Sequence, residues 1–156
     1  MTVPDPADIY TTQQLNRLLQ AWPHLRDRTG SAAFDRALPK KHKGDTPTSR
    51  AELRLAVCAD LARALDALAR AYPAHGKPGR DLRLMVLKVV VQGEPVKHVA
   101  TILGCPRGHV RESVEGGIGW MASYLNDPLF RANADADAAE REAIARRQTS
   151  GGRDAA

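Results

Sequence analysis

The side chains best suited by type and spacing to recognise a ligand lie in one short segment, positions 107–112. Arg107, His109, Arg111 and Glu112 are charged or titratable and surround a single valine, Val110. If that valine faces the core of a helix, the two arginines and the glutamate lie on its outer face, with the histidine at the border. Arginine can bond O6 and N7 of guanine, and glutamate can accept from N4 of cytosine. These side chains are therefore candidates for reading bases in a DNA major groove, and the alternative is an ordinary helical hairpin with a solvated charged face.

Five basic residues that precede this segment are candidates for phosphate contacts. Lys40, Lys41 and Lys43 lie in a loop bounded by proline and glycine, and Arg50 and Arg54 open the helix that follows. Such side chains neutralise the phosphates of a duplex and release its counterions. A solvated linker is the alternative interpretation of the basic loop, because charge runs are most often solvated.

Metal and catalytic sites are not indicated. His98, Cys105 and His109 have no fourth ligand at a zinc spacing. The segment 133–144 starts with the oxygen spacing of a calcium loop, but it lacks the central glycine and the final glutamate. No Ser-His-Asp or Cys-His arrangement is supported by the spacing, so we expect neither an enzyme, a metal nor a cofactor.

Two helices joined by a tight corner would position the base-reading face. The first helix carries a stripe of apolar residues at helical spacing, formed by Val96, Val99, Ala100 and Leu103. Gly104 is expected to end that helix, because glycine adopts the left-handed conformation of a helix end without the steric cost of a Cβ. Pro106 suits the first turn of the next helix. Val110 and Val114, four residues apart, give that second helix one buried edge.

This segment resembles region 4 of the sigma-70 family and the related helix-turn-helix domains of response regulators and phage proteins. The resemblance covers residues 82–125, under a third of the chain, and rests on Gly93, Val99, Ala100, Ile102, Leu103, Gly104, Gly108, Val110, Arg111 and Val114. It implies a promoter-binding or regulator module in which Arg107, Gly108, Arg111 and Glu112 occupy base-reading positions. It also implies RNA polymerase as a second partner, since region 4 docks on polymerase.

Three glycines depart from the resembled pattern. Gly116, Gly117 and Gly119 interrupt a segment that is usually continuous and rich in arginine in that family. Each glycine costs about 1 kcal/mol relative to alanine inside a helix. The sequence therefore predicts either a kink or a close approach of another backbone at this place.

The whole chain is predicted to be all-α, in three parts. Residues 1–48 hold a short helix, which Pro23 stops, and a basic arm, with at most one helical turn near Phe34. Residues 49–126 form a helical domain in which a long amphipathic helix, begun by a capping box at Ser49, packs on the helix-turn-helix unit 81–125 or on a second copy. Within that unit we expect a helix over 82–92, despite three consecutive valines with strand propensity. Residues 127–156 are a charged, alanine-rich tail with a marginal helix to Gln148 and a disordered end.

Composition narrows the class of partner. The net charge is +5 and the pI about 9.6, which favours a polyanion. The charge is unevenly placed, at +4 over residues 49–92 and zero over residues 93–126. The two cysteines show no disulfide framework, and no stretch of apolar residues is long enough for a signal peptide or a membrane span. We therefore expect a reduced, cytoplasmic protein without a membrane partner.

These observations favour a DNA-binding transcription regulator of phage or bacterial type. Its partner would be double-stranded DNA. A homodimer is an open alternative to the monomer. Two other functions stay open. One is a small terminase-like DNA-packaging subunit, although such proteins commonly place the motif near the N-terminus. The other is a protein–protein adaptor that binds polymerase or a sigma factor and has lost DNA binding, which the neutral motif and the glycines favour.

Overall fold

The computed structural model describes residues 9–39 and 49–154, and every regular element in those ranges is helical. The all-α prediction is thereby confirmed. The helices are α1 (Thr12–Ala21), α2 (Arg28–Ala37), α3 (Arg50–Ala71), α4 (Leu82–Val86, continued by a π-helical turn over Leu87–Val91), α5 (Val96–Leu103), α6 (Arg107–Asn126) and α7 (Pro128–Asp154). Short 3₁₀ turns cover Trp22–His24 and Pro78–Arg80.

The N-terminal helices pack as a pair. α1 begins with a full capping box, in which Thr11 Oγ1 accepts from the Gln14 amide at 3.0 Å and Gln14 Oε1 accepts from the Thr11 amide at 3.1 Å. It ends before Pro23, as predicted. α2 is a ten-residue helix where the sequence predicted one turn, so that prediction was too short. Phe34 is its fully buried anchor.

α3 is the long amphipathic helix that the sequence predicts. Ser49 Oγ accepts from the Glu52 amide at 3.1 Å, which is the Ser49 half of the predicted capping box. Val57, Leu61 and Leu68 are fully buried within this single chain. These three residues of its apolar face are therefore covered by the chain's own helices and need no second copy to bury them.

The helix over residues 82–91 is present but irregular. Asp81 Oδ1 caps it by accepting from the Leu84 amide at 3.0 Å. At the valine run the backbone widens into a π-helical turn, and the Gln92 amide donates to the Leu87 carbonyl, five residues earlier, at 2.8 Å. β-branched side chains crowd the neighbouring turns of an α-helix, and a wider turn relieves that crowding. Gly93, at φ 69°, then turns the chain towards α5.

α6 is the central helix, and it is continuous through its glycines. A Cβ added at Gly117 would lie 3.2 Å from Val86 Cγ2 and 3.5 Å from Leu68 Cδ2. Cβ atoms added at Gly116 and Gly119 would meet nothing within 4 Å. The predicted kink is absent, since α6 is uninterrupted. At Gly117 the close neighbours are side chains of α4 and α3, where the sequence predicted another backbone.

Aromatic residues join α3, α6 and α7. Trp120 stacks on Tyr124 with centroids 5.3 Å apart and meets Tyr72 and Phe130 edge-on at 6.2 and 5.6 Å. Tyr124 donates to Asp135 at 2.8 Å, and burial, with that carboxylate, raises the pKa of the phenol. α7 runs through Asp154, so the prediction of a helix ending at Gln148 was too short.

Candidate nucleic-acid interface

The corner between α5 and α6 fixes where α6 begins. Gly104 adopts a left-handed conformation at φ 65°, and its amide donates to the carbonyl of Thr101 at 3.3 Å. The Cys105 amide donates to the Ala100 carbonyl at 3.1 Å, which completes a Schellman-type ending. Ala100 and Val99 are buried beneath the corner.

The first turn of α6 has an anion-binding character. Its N-cap is Pro106, which makes no side-chain capping bond, so a bound anion could satisfy the free amides of that turn. Lys97 and Arg107 border an open groove of about 430 Å³ at this corner. Two cations and the positive end of a 20-residue helix meet here, which favours a phosphate group.

The predicted base-reading residues lie on the exposed side of α6. Arg107, Arg111 and Glu112 are exposed, while Val110 is fully buried and Val114 is 9% exposed. The inward orientation of the valines is thus confirmed. Arg111 and Glu112 make no ion pair or hydrogen bond with any residue in the described ranges. Their side chains are available to an external ligand.

His109 has a different neighbour. Its ring Nε2 lies 2.7 Å from the carbonyl oxygen of Gly79, which accepts a hydrogen bond from the ring when Nε2 is protonated. This bond ties the start of α6 to the 3₁₀ turn at Pro78–Arg80. A base contact by His109, as the sequence predicts, would have to compete with that bond.

The same bond brings two unpredicted cations to the corner. Gly79 also lies against the corner itself, since a Cβ on it would be 3.7 Å from Cys105 Cβ. Lys77 and Arg80 flank Gly79 and are exposed. The sequence signal for them was the +4 charge of residues 49–92, but no local pattern showed that this loop folds back onto α6.

Arg50 and Arg54 occupy another part of the molecule. Arg54 Nε donates to the Asp35 carboxylate at 2.6 Å, and an Arg50 nitrogen lies 3.9 Å from the same carboxylate. The guanidinium of Arg54 holds the pKa of the Asp35 carboxyl below its usual range. These contacts join α3 to α2, and they leave Arg54 committed to an internal ion pair.

The position of α3 separates these arginines from the start of α6. The Asn126 side chain, at the end of α6, accepts from the Tyr10 amide at 2.9 Å, and the Tyr10 hydroxyl donates to Asp60 at 2.7 Å. Arg54 precedes Asp60 along α3, whereas Leu68 follows it and lies beside Gly117. Arg54 is therefore nearer to the C-terminal end of α6 than to its first turn, and the 20 residues of α6 span about 30 Å. The other predicted phosphate contacts, Lys40, Lys41 and Lys43, lie outside the described residues.

Within residues 9–39 and 49–154 no three His, Cys, Asp or Glu side chains are grouped so that they could hold a metal ion. No helix in those ranges is long and apolar enough to cross a membrane. Comparisons of the chain with protein-family models, with curated proteins and with solved structures return no match.

Proposed function

We propose that residues 82–126 form a helix-turn-helix unit that binds double-stranded DNA, with the first turns of α6 in the major groove. The observation that carries the proposal is the convergence at one corner of an uncapped α6 N-terminus, a left-handed Gly104 and unpaired Arg107 and Arg111. Arg111 and Glu112 are the base-reading side chains, and the protein acts as a transcription regulator of phage or bacterial type.

Phosphate contacts come from cations around the corner. Lys97 and Arg107 border its groove, and Lys77 and Arg80 flank the turn that bonds to His109. Arg50 and Arg54 are left out of this interface, because Arg54 is paired with Asp35 and the two arginines join α3 to α2, away from the α5–α6 corner. Lys77 and Arg80 lie outside residues 93–126 and add two positive charges to a segment whose own net charge, with Lys97 and Arg107 included, is zero.

Fluorescence anisotropy with a mixed-sequence duplex across a salt series tests the proposal. Affinity should fall with salt at a slope of about −0.9 per neutralised phosphate. After a preferred site is selected from random duplexes, Arg111→Ala should lose about 1–3 kcal/mol at one base position and relax specificity there. Arg36→Ala, an exposed arginine on α2, is the matched control and should leave both quantities unchanged. Equal affinity and site preference in wild type and Arg111→Ala would exclude this placement.

A protein–protein adaptor is the second candidate, favoured by the neutral charge of residues 93–126. In that function the α5–α6 corner contacts a protein such as RNA polymerase. Absence of duplex binding at low salt, together with co-purification with polymerase, would select it over DNA recognition.

A further inference from the structure

An apolar groove lies beside the predicted reading face, between α1, the π-helical turn, α5 and α6. Its volume is about 700 Å³, within the range of small-molecule sites. The floor is formed by the buried Val114 and Ile118 of α6 and by the half-buried Val89 and Val96. This surface is open to solvent and sits directly beside Arg111, which the proposed function uses.

The rim of the groove carries both signs of charge. Arg111 and Glu115, one helical turn apart on α6, both line it and are exposed. Neither makes an ion pair or a hydrogen bond with another residue of the described ranges, and they are not paired with each other within 4.0 Å. Gln13 and Asn16 of α1 add amide groups on the facing wall. The rim thus has net charge zero, with two separated and unpaired charges.

We propose that this groove binds a small aliphatic zwitterion, namely an α-amino acid with a branched apolar side chain or a dipeptide of two such residues. The planar fork of Arg111 suits a carboxylate, and Glu115 suits an ammonium group. The aliphatic side chain covers the valines and Ile118. A ligand with only one charge would be attracted by one rim residue and repelled by the other, so the charge pattern selects a zwitterion.

Ligand binding and base reading draw on the same guanidinium. An Arg111 that holds a ligand carboxylate is no longer available to a guanine, so the ligand weakens duplex binding. This coupling rests on the proposed DNA-binding function, whereas the ligand site itself does not. Ligand at ten times its own Kd should raise the apparent Kd for the duplex about tenfold. This increase cannot exceed the loss of duplex affinity that Arg111→Ala causes.

Titration of the full chain with four probes tests the site directly, by calorimetry or by NMR shifts. The probes are L-leucine, L-leucyl-L-leucine, 4-methylpentanoate, which is leucine without its ammonium group, and 3-methylbutylamine, which is leucine without its carboxylate. Saturable binding of leucine or the dipeptide is expected, with each singly charged probe at least tenfold weaker. The leucine and dipeptide arms distinguish a free amino acid from a larger ligand that fills more of the groove.

Substitutions test whether ligand binding depends on the charged rim of the groove and not on other exposed charges. Arg111→Gln and Glu115→Gln should each weaken leucine or dipeptide binding at least tenfold, and Glu140→Gln, an exposed glutamate of α7 outside the groove, should not. No saturable binding by either zwitterion, or equal binding of 4-methylpentanoate, would overturn the proposal. Zwitterion binding without any change in duplex affinity would overturn the coupling alone. Absence of duplex binding in ligand-free protein would overturn the proposed function and leave the site standing.

Discussion

Replacement of Gly117 by alanine sets two opposed effects against each other. Alanine gains about 1 kcal/mol over glycine in a helix interior. At this position, however, its Cβ would lie 3.2 Å from Val86 Cγ2, a methyl of a fully buried residue on α4. Val86 is β-branched and held in one rotamer by its helix, so it has little freedom to move away. Overpacking of a well-packed core costs about 1–3 kcal/mol. We expect Gly117→Ala to be neutral to about 2 kcal/mol less stable than wild type.

Gly116→Ala and Gly119→Ala are the matched controls on the same helix. Each gains the same helix propensity, and neither added Cβ meets an atom within 4 Å. Each should be about 1 kcal/mol more stable than wild type, which for a chain of this size raises Tm by about 2–4 °C. Urea unfolding followed by circular dichroism measures all three. If Gly117→Ala gains as much as the two controls, the close packing of α4 on α6 is not as described.

Two further contacts yield predictions about stability. The Arg54 hydrogen bond lowers the pKa of Asp35 in the folded state. The contribution of this contact to the free energy of unfolding is therefore complete above about pH 4 and is lost as the pH falls through the folded pKa of Asp35. The gap in urea midpoint between wild type and Asp35→Asn should therefore be largest near pH 7 and shrink below pH 4; a gap independent of pH would refute this. Asn126→Ala removes the side chain that bonds Ile9 and Tyr10 and should cost about 1–3 kcal/mol in urea unfolding, whereas Asn133→Ala, on exposed α7 surface, should cost little.

Helix ends with strong local signals were predictable from the sequence. Ser49 before α3 and the pair Thr11 and Thr12 before α1 carry cap chemistry that acts within three residues, so no knowledge of the fold is needed; the sequence did not choose between the two threonines, and Thr11 is the cap. α2 was not predictable in the same way. Gly30 lies inside it because a Cβ there would be only 2.1 Å from the His24 carbonyl oxygen, and that contact exists only after folding. A mid-helix glycine with a single large buried side chain, Phe34, has the pattern of a loop.

The candidate site was predictable in its helix and not in its surroundings. The exposed positions of Arg111 and Glu112 follow from the spacing of the valines on one helix. Lys77 and Arg80 reach the corner through the bond between His109 and Gly79, which joins residues 30 positions apart. The groove beside Arg111 depends on α1 packing against α6, a contact that no local pattern specifies.

The π-helical turn at Leu87–Val91 also governs the direction of the chain that follows it. A π turn closes its hydrogen bond over five residues where an α turn uses four, so it holds one residue more within nearly the same rotation. Removal of one of its valines would therefore turn it into a regular α turn and leave α5 in nearly its present direction. Removal of one residue from a regular part of the helix would instead rotate everything after it by about 100°, with a shift of about 1.5 Å. The π turn is thus a place before the α5–α6 corner where the loss of one residue leaves the corner pointing the same way.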